Sequence, residues 1–285
     1  MNIKLAKFLT RITQFISPNL YYSLAYFRQR GRFPNLRNPK NITEIIGVQM
    51  LSGEINQYAE YADKVKVRDY LIEWGYEKYL PKLYGVWDSF EAIDFEILPE
   101  KFALKTNHGA GGNIICFDKK KLDINNAEKV ITKSLNTSYG GKTETHYSLI
   151  KPKVFAEELL SDNGELPLDY KFHCYKGEIK GVLMVLERAR GEGSKRLFYN
   201  KEWKKLNILK KKEANYEINK PGKLAEMIRL VEDIAKRFKH VRVDLYYVNN
   251  NIYIGELTFT PNGGFLRNFT LEGLHYLAEE PIKKT

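Results

Sequence analysis

The chain has 285 residues, 43% hydrophobic and 28% charged, which suits one large folded domain or two small ones. It holds no run of about 20 apolar residues, which excludes a membrane-spanning helix, and its two cysteines, Cys116 and Cys174, show no metal or redox spacing. The formal net charge of +11 favours an anionic partner, but the basic residues are dispersed and no zinc-finger or RNA-binding signature occurs, so nucleic acid is not expected.

Near the start, Leu5, Phe8, Leu9, Ile12, Phe15 and Ile16 have helical spacing, with Lys4, Lys7 and Arg11 off the apolar stripe. A basic amphipathic helix of this kind either packs on its own domain or rests on a membrane surface. The stretch has no uninterrupted apolar core and no small-residue cleavage site, unlike a signal peptide. A reducing, cytoplasmic location is the expectation, peripheral at the inner membrane face if the helix seeks lipid. Residues 17 to 60 predict further helices joined by the Pro34 to Pro39 turn region, giving a helical segment over 1–62.

A second unit is expected over 63–285. Asp63 caps a predicted helix, DKVKVRDYLIEW, that stops at Gly75. YLPKLYGVW is extended. KFALKTN, 101–107, alternates as a strand, NHGAGGN is a glycine-rich loop, and IICFD is the strand returning from it. KVFAEELL, 153–160, is a further strand. DYKFHCY and EIKGVLMVLER predict a hairpin across Lys176-Gly177, with Asp169, Lys171 and His173 on one face and Tyr170, Phe172 and Cys174 on the other. Cys174 is thereby a core thiol. Lys210-Lys211-Lys212 belongs on a solvated loop. Residues 221–238 carry one apolar face from Leu224 to Phe238, and Pro221 suits a first helical turn.

The segment VRVDLYYVNNNIYIGELTFTP, 241–261, reads as a hairpin around three asparagines. With all three in the loop, Val248 faces Ile252, Asp244 faces Glu256 and Arg242 faces Thr258. Val241, Val243, Leu245 and Tyr247 then share an apolar face with Phe259, Leu257 and Tyr253. Two opposed carboxylates call for a positive charge between them, and phosphate-bound magnesium is the candidate. The alternation of helices with strong hairpins predicts an α+β, or mixed α/β, fold.

Individually these features are weak. A glycine-rich loop after a strand lysine suits polyphosphate but also serves as an ordinary hairpin turn. Lys64 alone is a solvent-facing helix lysine, Asp169 a strand cap, and Arg242 with Asp244 a structural ion pair. Their order is more specific. In ADKVKVRDYL, YGVWDSF, FALKTNHGAGGNIICFDKKKLD, IKPKVFAEELLSD, LPLDYKFHCYKGEIK and VRVDLYYVNNNIYIGELTFTP the chain resembles the TupA-like family of the ATP-grasp superfamily.

The resemblance implies two α+β subdomains that sandwich ATP, with a hinge near 157–161. It implies that Lys64 and Lys105 hold phosphates and that Gly109, Gly111, Gly112 and Asn113 cover them. Glu157, Glu158 and Leu160 would read adenine, Asp169 the ribose, and Lys171 a phosphate. Asp244 and Glu256 would bind Mg2+, and Arg242 would lie beside the transferred phosphoryl group. Thr258 stands where many ATP-grasp enzymes have asparagine, so it is a weaker ligand or yields its place to water.

The same resemblance implies an ATP-dependent carboxylate–amine ligase of surface-polymer biosynthesis, acting on a uronic-acid glycan or its precursor. The expected partners are that carboxylate acceptor and an amine. Arg188, Arg190, Lys195 and Arg196 offer a cradle for an anionic acceptor or form a solvated loop. Asn262, Gly263 and Gly264 could present amides to the acyl group. No general base is evident, although His173 and His146 are candidates. A kinase acting on a sugar hydroxyl and a non-catalytic glycan-binding protein remain as alternatives.

Overall fold

The computed structural model describes residues 17–161, 164–186, 195–211 and 216–279. The amphipathic stretch at 3–16 and residues Arg188, Arg190 and Lys212 lie outside them.

Helix α1 (Pro18–Arg30) starts where the Ser17 hydroxyl accepts the Leu20 amide and stops at Gly31, whose φ of 72° suits a residue without a β-carbon. Helix α2 (Ile42–Ser52) is capped by Asn41. The connection between them is pinned by buried Glu44, which accepts from the amides of Asn35 and Lys40, the Arg32 guanidinium and the Tyr26 hydroxyl. A 3-10 turn (Glu54–Tyr58) and α3 (Ala59–Ala62) follow. Tyr22, Tyr26, Ile46 and Met50 bury themselves in the same apolar core as Phe172, Val243 and Leu274, so the helical segment is continuous with the core of the larger sheet. Helix α4 (Lys66–Glu73) is introduced by Asp63, whose Oδ1 accepts the amides of Val65 and Lys66.

Two antiparallel sheets follow, as an α+β fold requires. The first contains β1 (Leu83–Trp87), β2 (Phe102–Thr106), β3 (Ile114–Cys116) and β4 (Val154–Glu158) in the order β1-β4-β2-β3. Phe102, Leu104, Val154 and Ala156 alternate into a small core beneath helix α5 (Ile124–Leu135), which leaves Lys105, Phe155 and Glu157 on the opposite face. The second contains β5 (Asp169–Tyr175), β6 (Glu178–Leu186), β7 (Lys195–Tyr199), β8 (His240–Val248) and β9 (Asn251–Thr258) in the order β7-β6-β5-β8-β9. Helix α6 (Leu224–Ala235) covers its apolar face and α7 (Leu271–Tyr276) closes the chain's described part. Pro221 sits one turn ahead of α6, its carbonyl accepting the Leu224 amide, and is not part of the helix.

The final hairpin corrects one expectation. Its loop is two residues, Asn249 and Asn250, both with positive φ (48° and 60°), and Val248 pairs with Asn251 instead of Ile252. That register would set Asp244 against Gly255. A β-bulge between Asp244 and Leu245 restores the offset, so Asp244 does face Glu256 and Arg242 faces Thr258. On the loop side of the bulge the inward residues of β9 are Ile252 and Ile254, while Tyr253 pairs with Tyr246 and lies off the apolar face. Gly255 permits the bulge because the Tyr246 ring occupies the place of a β-carbon, 2.7 Å from where one would stand.

Candidate functional site

Sheet register assembles the site. Leu183, Lys171, Asp244 and Glu256 are successive partners across β6, β5, β8 and β9, so their side chains stand in one row. The row on one side of it contains Val185, Asp169 and Tyr246, with Arg196 beyond Val185. The row on the other side contains His173, Arg242 and Thr258. This polar face opposes the Lys105 face of the first sheet across a cleft of about 350 Å³.

From the first sheet's side, Lys105 Nζ reaches Glu157 Oε1 at 2.6 Å, and Arg68 Nη1 lies 3.6 Å from the other oxygen. Asn107 fastens the strand end, its amide side chain donating to Asp63 Oδ2 at 2.8 Å. The Lys64 amide donates to the Asn107 carbonyl, and Lys64 Nζ donates to the Gly109 carbonyl at 2.8 Å, so Lys64 bridges the helix start to the glycine loop. Gly109, Gly111 and Gly112 all have positive φ. Gly109 is also packed against Tyr139, whose ring lies 2.2 Å from the position of a β-carbon.

The cation between the opposed carboxylates is Arg242. Its Nε and Nη2 grip both oxygens of Asp244, at 2.6 and 2.7 Å, and Nη2 also reaches Glu256 Oε1 at 3.0 Å and Thr258 Oγ1 at 3.1 Å. Lys171 donates to Asp244 from the other side, and Lys64 stands 3.7 Å from Glu256 Oε2. Burial alone would raise the Glu256 carboxyl, but the charges of Lys64, Arg242 and Lys171 outweigh it and hold the group well below the usual range. Burial pushes Asp244 up against the opposing pull of Arg242 and Lys171. The Asp244 side chain is 2% exposed and that of Glu256 32%, so Glu256 is the carboxylate presented to the cleft.

Lys64, Lys105, Gly109, Gly111, Asn113, Glu157, Asp169, Lys171, Arg242, Asp244 and Glu256 all border this one cleft. Gly112, Glu158, Leu160 and Thr258 do not line it. Gly112 abuts Ser134, Glu158 accepts the Lys82 amide, and Thr258 donates to Glu256 beneath Arg242. His173 is excluded as a proton acceptor at the cleft: it is buried between Phe198 and Phe269, and burial drives its pKa well below the usual value. His146 is likewise buried, and desolvation lowers it to about 4. The amides of Gly263 and Gly264 donate to the Thr260 carbonyl and so are committed within their own loop. Burial raises Cys174 far above an ordinary thiol, as a core residue requires.

Sequence reading missed four residues here. Arg68 stands one helical turn beyond Lys64, a spacing that places both on one face. Tyr246 follows Asp244 by two and so shares its strand face. Glu144 precedes, and Tyr147 lies in, a single short 3-10 turn (Thr145–Leu149), too brief to give a periodic signal. Glu144 Oε1 accepts from Thr260 at 2.6 Å and is raised by burial, while the charges that act on Tyr147 include Glu256, Glu144 and Arg242.

A profile of the TupA-like ATPgrasp family matches residues 44–279, more than four fifths of the sequence. The chain belongs to the TupA-like ATP-grasp family. No curated protein matches it. Among solved structures it is similar to D-alanine–D-alanine ligase from Bacillus anthracis complexed with ATP, at 16% identity and a TM-score of 0.45, over 75% of this chain and 59% of that one. It is also similar to the ATP-grasp ligase PsnB complexed with minimal precursor, at 12% identity and a TM-score of 0.42, over 79% and 58%. A RimK domain ATP-grasp protein from Sphaerobacter thermophilus matches at 12% identity and a TM-score of 0.41, over 78% and 66%. The chain thus spans about three fifths of the length of the first two.

The magnesium expected in an ATP-grasp site takes oxygen ligands. Among the described residues no group of three or more His, Cys, Asp and Glu converges. Two carboxylates in one row suit a hard cation that draws its remaining ligands from phosphate and water, with Glu256 presented and Asp244 already shared with Arg242 and Lys171.

Proposed function

We propose that this TupA-like protein is an ATP-dependent ligase that joins a carboxylate to an amine, on a uronic-acid-containing surface glycan or its precursor. The observation that carries the proposal is the cross-sheet row Lys171–Asp244–Glu256 facing Lys105 and the glycine loop, with Lys64 touching both the loop and Glu256. Such a cleft meets the demands of phosphoryl transfer between two anions, which are charge neutralisation and alignment.

In this reading Lys64, Lys105 and the amides of the glycine loop hold the triphosphate, and Asp169 takes the ribose. Glu157 orders Lys105 and Arg68 on the adenine side. Asp244 and Glu256 would hold Mg2+, which supplies charge neutralisation on the phosphates. Arg242 stabilises the transferring phosphoryl group. An acceptor carboxylate oxygen bonds to the γ-phosphorus as ADP leaves. An amine nitrogen then bonds to the acyl carbon, phosphate departs, and the amine proton passes to water or phosphate. The net charge of +11 suits an acidic acceptor, and TupA-like proteins are associated with surface-polymer assembly.

The test is incubation with ATP, magnesium, hydroxylamine and a panel of uronates. Hydroxamate accompanied by equimolar phosphate is expected. A phosphorylated sugar without hydroxamate would assign a kinase instead, and no ATP turnover across the panel would refute catalysis.

A further inference from the structure

The rows of the second sheet have a chemical direction. Asp169 and Tyr246 stand in one, Asp244 and Glu256 in the next, and Arg242 and Thr258 in the third. In the ligase reading they take the ribose, the metal and the transferring phosphoryl group in turn. Past the end of β9 the alternation continues: Leu257 and Phe259 enter the apolar core, which turns Thr260 to the face of Glu256 and Thr258. Two residues of strand span about 7 Å, so Thr260 stands about that far beyond the Arg242 row, on the side away from the ribose. There its hydroxyl donates to Glu144 Oε1 at 2.6 Å. Glu144 Oε2 lies 3.6 Å from where a β-carbon of Gly263 would stand, and the adjoining Asn262 borders the cleft.

The segment that carries Glu144 is fastened: its amide donates to the Gly140 carbonyl at 2.8 Å, and Thr145 Oγ1 donates to Asn56 Oδ1 at 2.5 Å. Besides burial, the charges of Glu256, Glu144 and Arg242 act on the Tyr147 hydroxyl, so it stands close to both carboxylates. The neighbouring carboxylates have cations. Arg242 and Lys171 hold Asp244, Arg242 and Lys64 attend Glu256, and Lys105 holds Glu157. Glu144 has none among the described residues; its side chain accepts from Thr260 alone, and burial raises its pKa. A half-buried carboxylate in that position is stabilised by a cation brought to it.

We propose that Glu144 receives the acceptor amine as an ammonium ion and takes its first proton. The acyl carbon lies one oxygen away from the transferred phosphorus, and an attacking nitrogen stands about 3 Å from that carbon, so an amine held by Glu144 one row past Arg242 is within reach of it. An ammonium nucleophile sheds two protons on its way to an amide. The first passes to Glu144, which frees the nitrogen lone pair. The nitrogen then bonds to the acyl carbon as the carbon–oxygen bond to phosphate breaks. The second proton leaves with phosphate or water, and Glu144 returns its own to water. The inference rests on the ligase reading and adds to it the class of amine: a basic aliphatic amine, charged at neutral pH, in place of a weakly basic aromatic or amide nitrogen.

The test compares two kinds of nucleophile on the full chain with ATP, magnesium and glucuronate or galacturonate. Ethanolamine and glycine are ammonium ions at neutral pH, whereas hydroxylamine is largely uncharged there. Glu144→Gln keeps the shape and the bond from Thr260 but removes the charge. In it kcat/KM for the ammonium nucleophiles should fall about tenfold or more relative to that for hydroxylamine, and Glu144→Asp should recover part of the loss. Urea unfolding should find Glu144→Gln at least as stable as wild type, because the charge it removes has no cation. Equal loss toward both kinds of nucleophile would make Glu144 structural and overturn the proposal. No loss, marked destabilisation of Glu144→Gln, or wild-type hydroxamate with no amide from either ammonium nucleophile would overturn it as well. Absence of hydroxamate in wild type would instead refute the ligase reading, and this inference with it.

Discussion

Arg242 Nη2 stands 3.0 Å from Glu256 Oε1, so the cation between the two opposed carboxylates of the last hairpin comes from the chain itself. The same guanidinium holds both oxygens of Asp244. Removing one member of such a buried network leaves uncompensated charge, which typically costs about 3–5 kcal/mol. Arg242→Met should therefore lower unfolding stability by about that amount in urea titration, as well as abolish ATP turnover. Near-native stability would show that Asp244 and Glu256 do not depend on Arg242.

Gly255→Val tests the bulge. Its β-carbon would meet the Tyr246 ring and come within 3.3 Å of the Asp244 carbonyl. The ring or the register must shift, and a slip of one residue moves Glu256 off its row. A lowered melting temperature together with weakened nucleotide binding is expected; full binding at wild-type stability would count against the bulge as the device that aligns the site.

The Asp244–Glu256 pairing was legible in the sequence, yet for an incomplete reason. A three-residue asparagine loop yields the right offset, and so does a two-residue turn followed by a bulge; alternation of apolar residues near Asp244 does not distinguish them. Tyr253 and Ile254 do distinguish them, since only the bulged form buries Ile254. Strand alternation put Asp169 and Lys171 on one face and Asp244 opposite Glu256, whereas Lys64, Lys105, the glycine loop and Glu157 were singled out only by their resemblance to the family's motifs. Arg68 and Tyr246 followed from the same periodicities but were not read. Glu144 and Tyr147 were not accessible, because a five-residue 3-10 turn is too short to show a period, and the fates of the Gly263 and Gly264 amides depend on turn geometry that composition does not specify.

Gly109→Ala should selectively weaken the glycine loop. The residue has φ of 68° and faces the Tyr139 ring at 2.2 Å from a β-carbon position, so both backbone and packing resist a side chain. Because the loop carries the carbonyl that binds Lys64, nucleotide affinity should fall about tenfold or more with little change in global stability. Unchanged affinity would remove the loop from the phosphate site.

Acid sensitivity should come from buried histidines. Desolvation lowers both His146 and His240 to about 4, and both ring nitrogens of His146 lack a hydrogen-bond partner among the described residues. Their folded pKa values lie below the unfolded value of about 6.5, so the unfolded chain binds more protons between pH 6.5 and 4 and stability falls as pH drops through that window. Each contributes on the order of 3 kcal/mol to that loss. His146→Leu should flatten the slope while leaving stability at pH 8 near wild type, as followed by urea unfolding across pH. An unchanged slope would contradict the assignment.

The central claim is that the cleft takes nucleotide with magnesium on the carboxylate row. Its most direct test is the affinity of AMP-PNP with and without Mg2+, by calorimetry, in wild type and in Glu256→Gln. The account predicts that magnesium tightens binding to wild type and has far less effect on the variant, whose presented carboxylate is neutral. Absence of AMP-PNP binding, or an equal magnesium effect in both proteins, would contradict it.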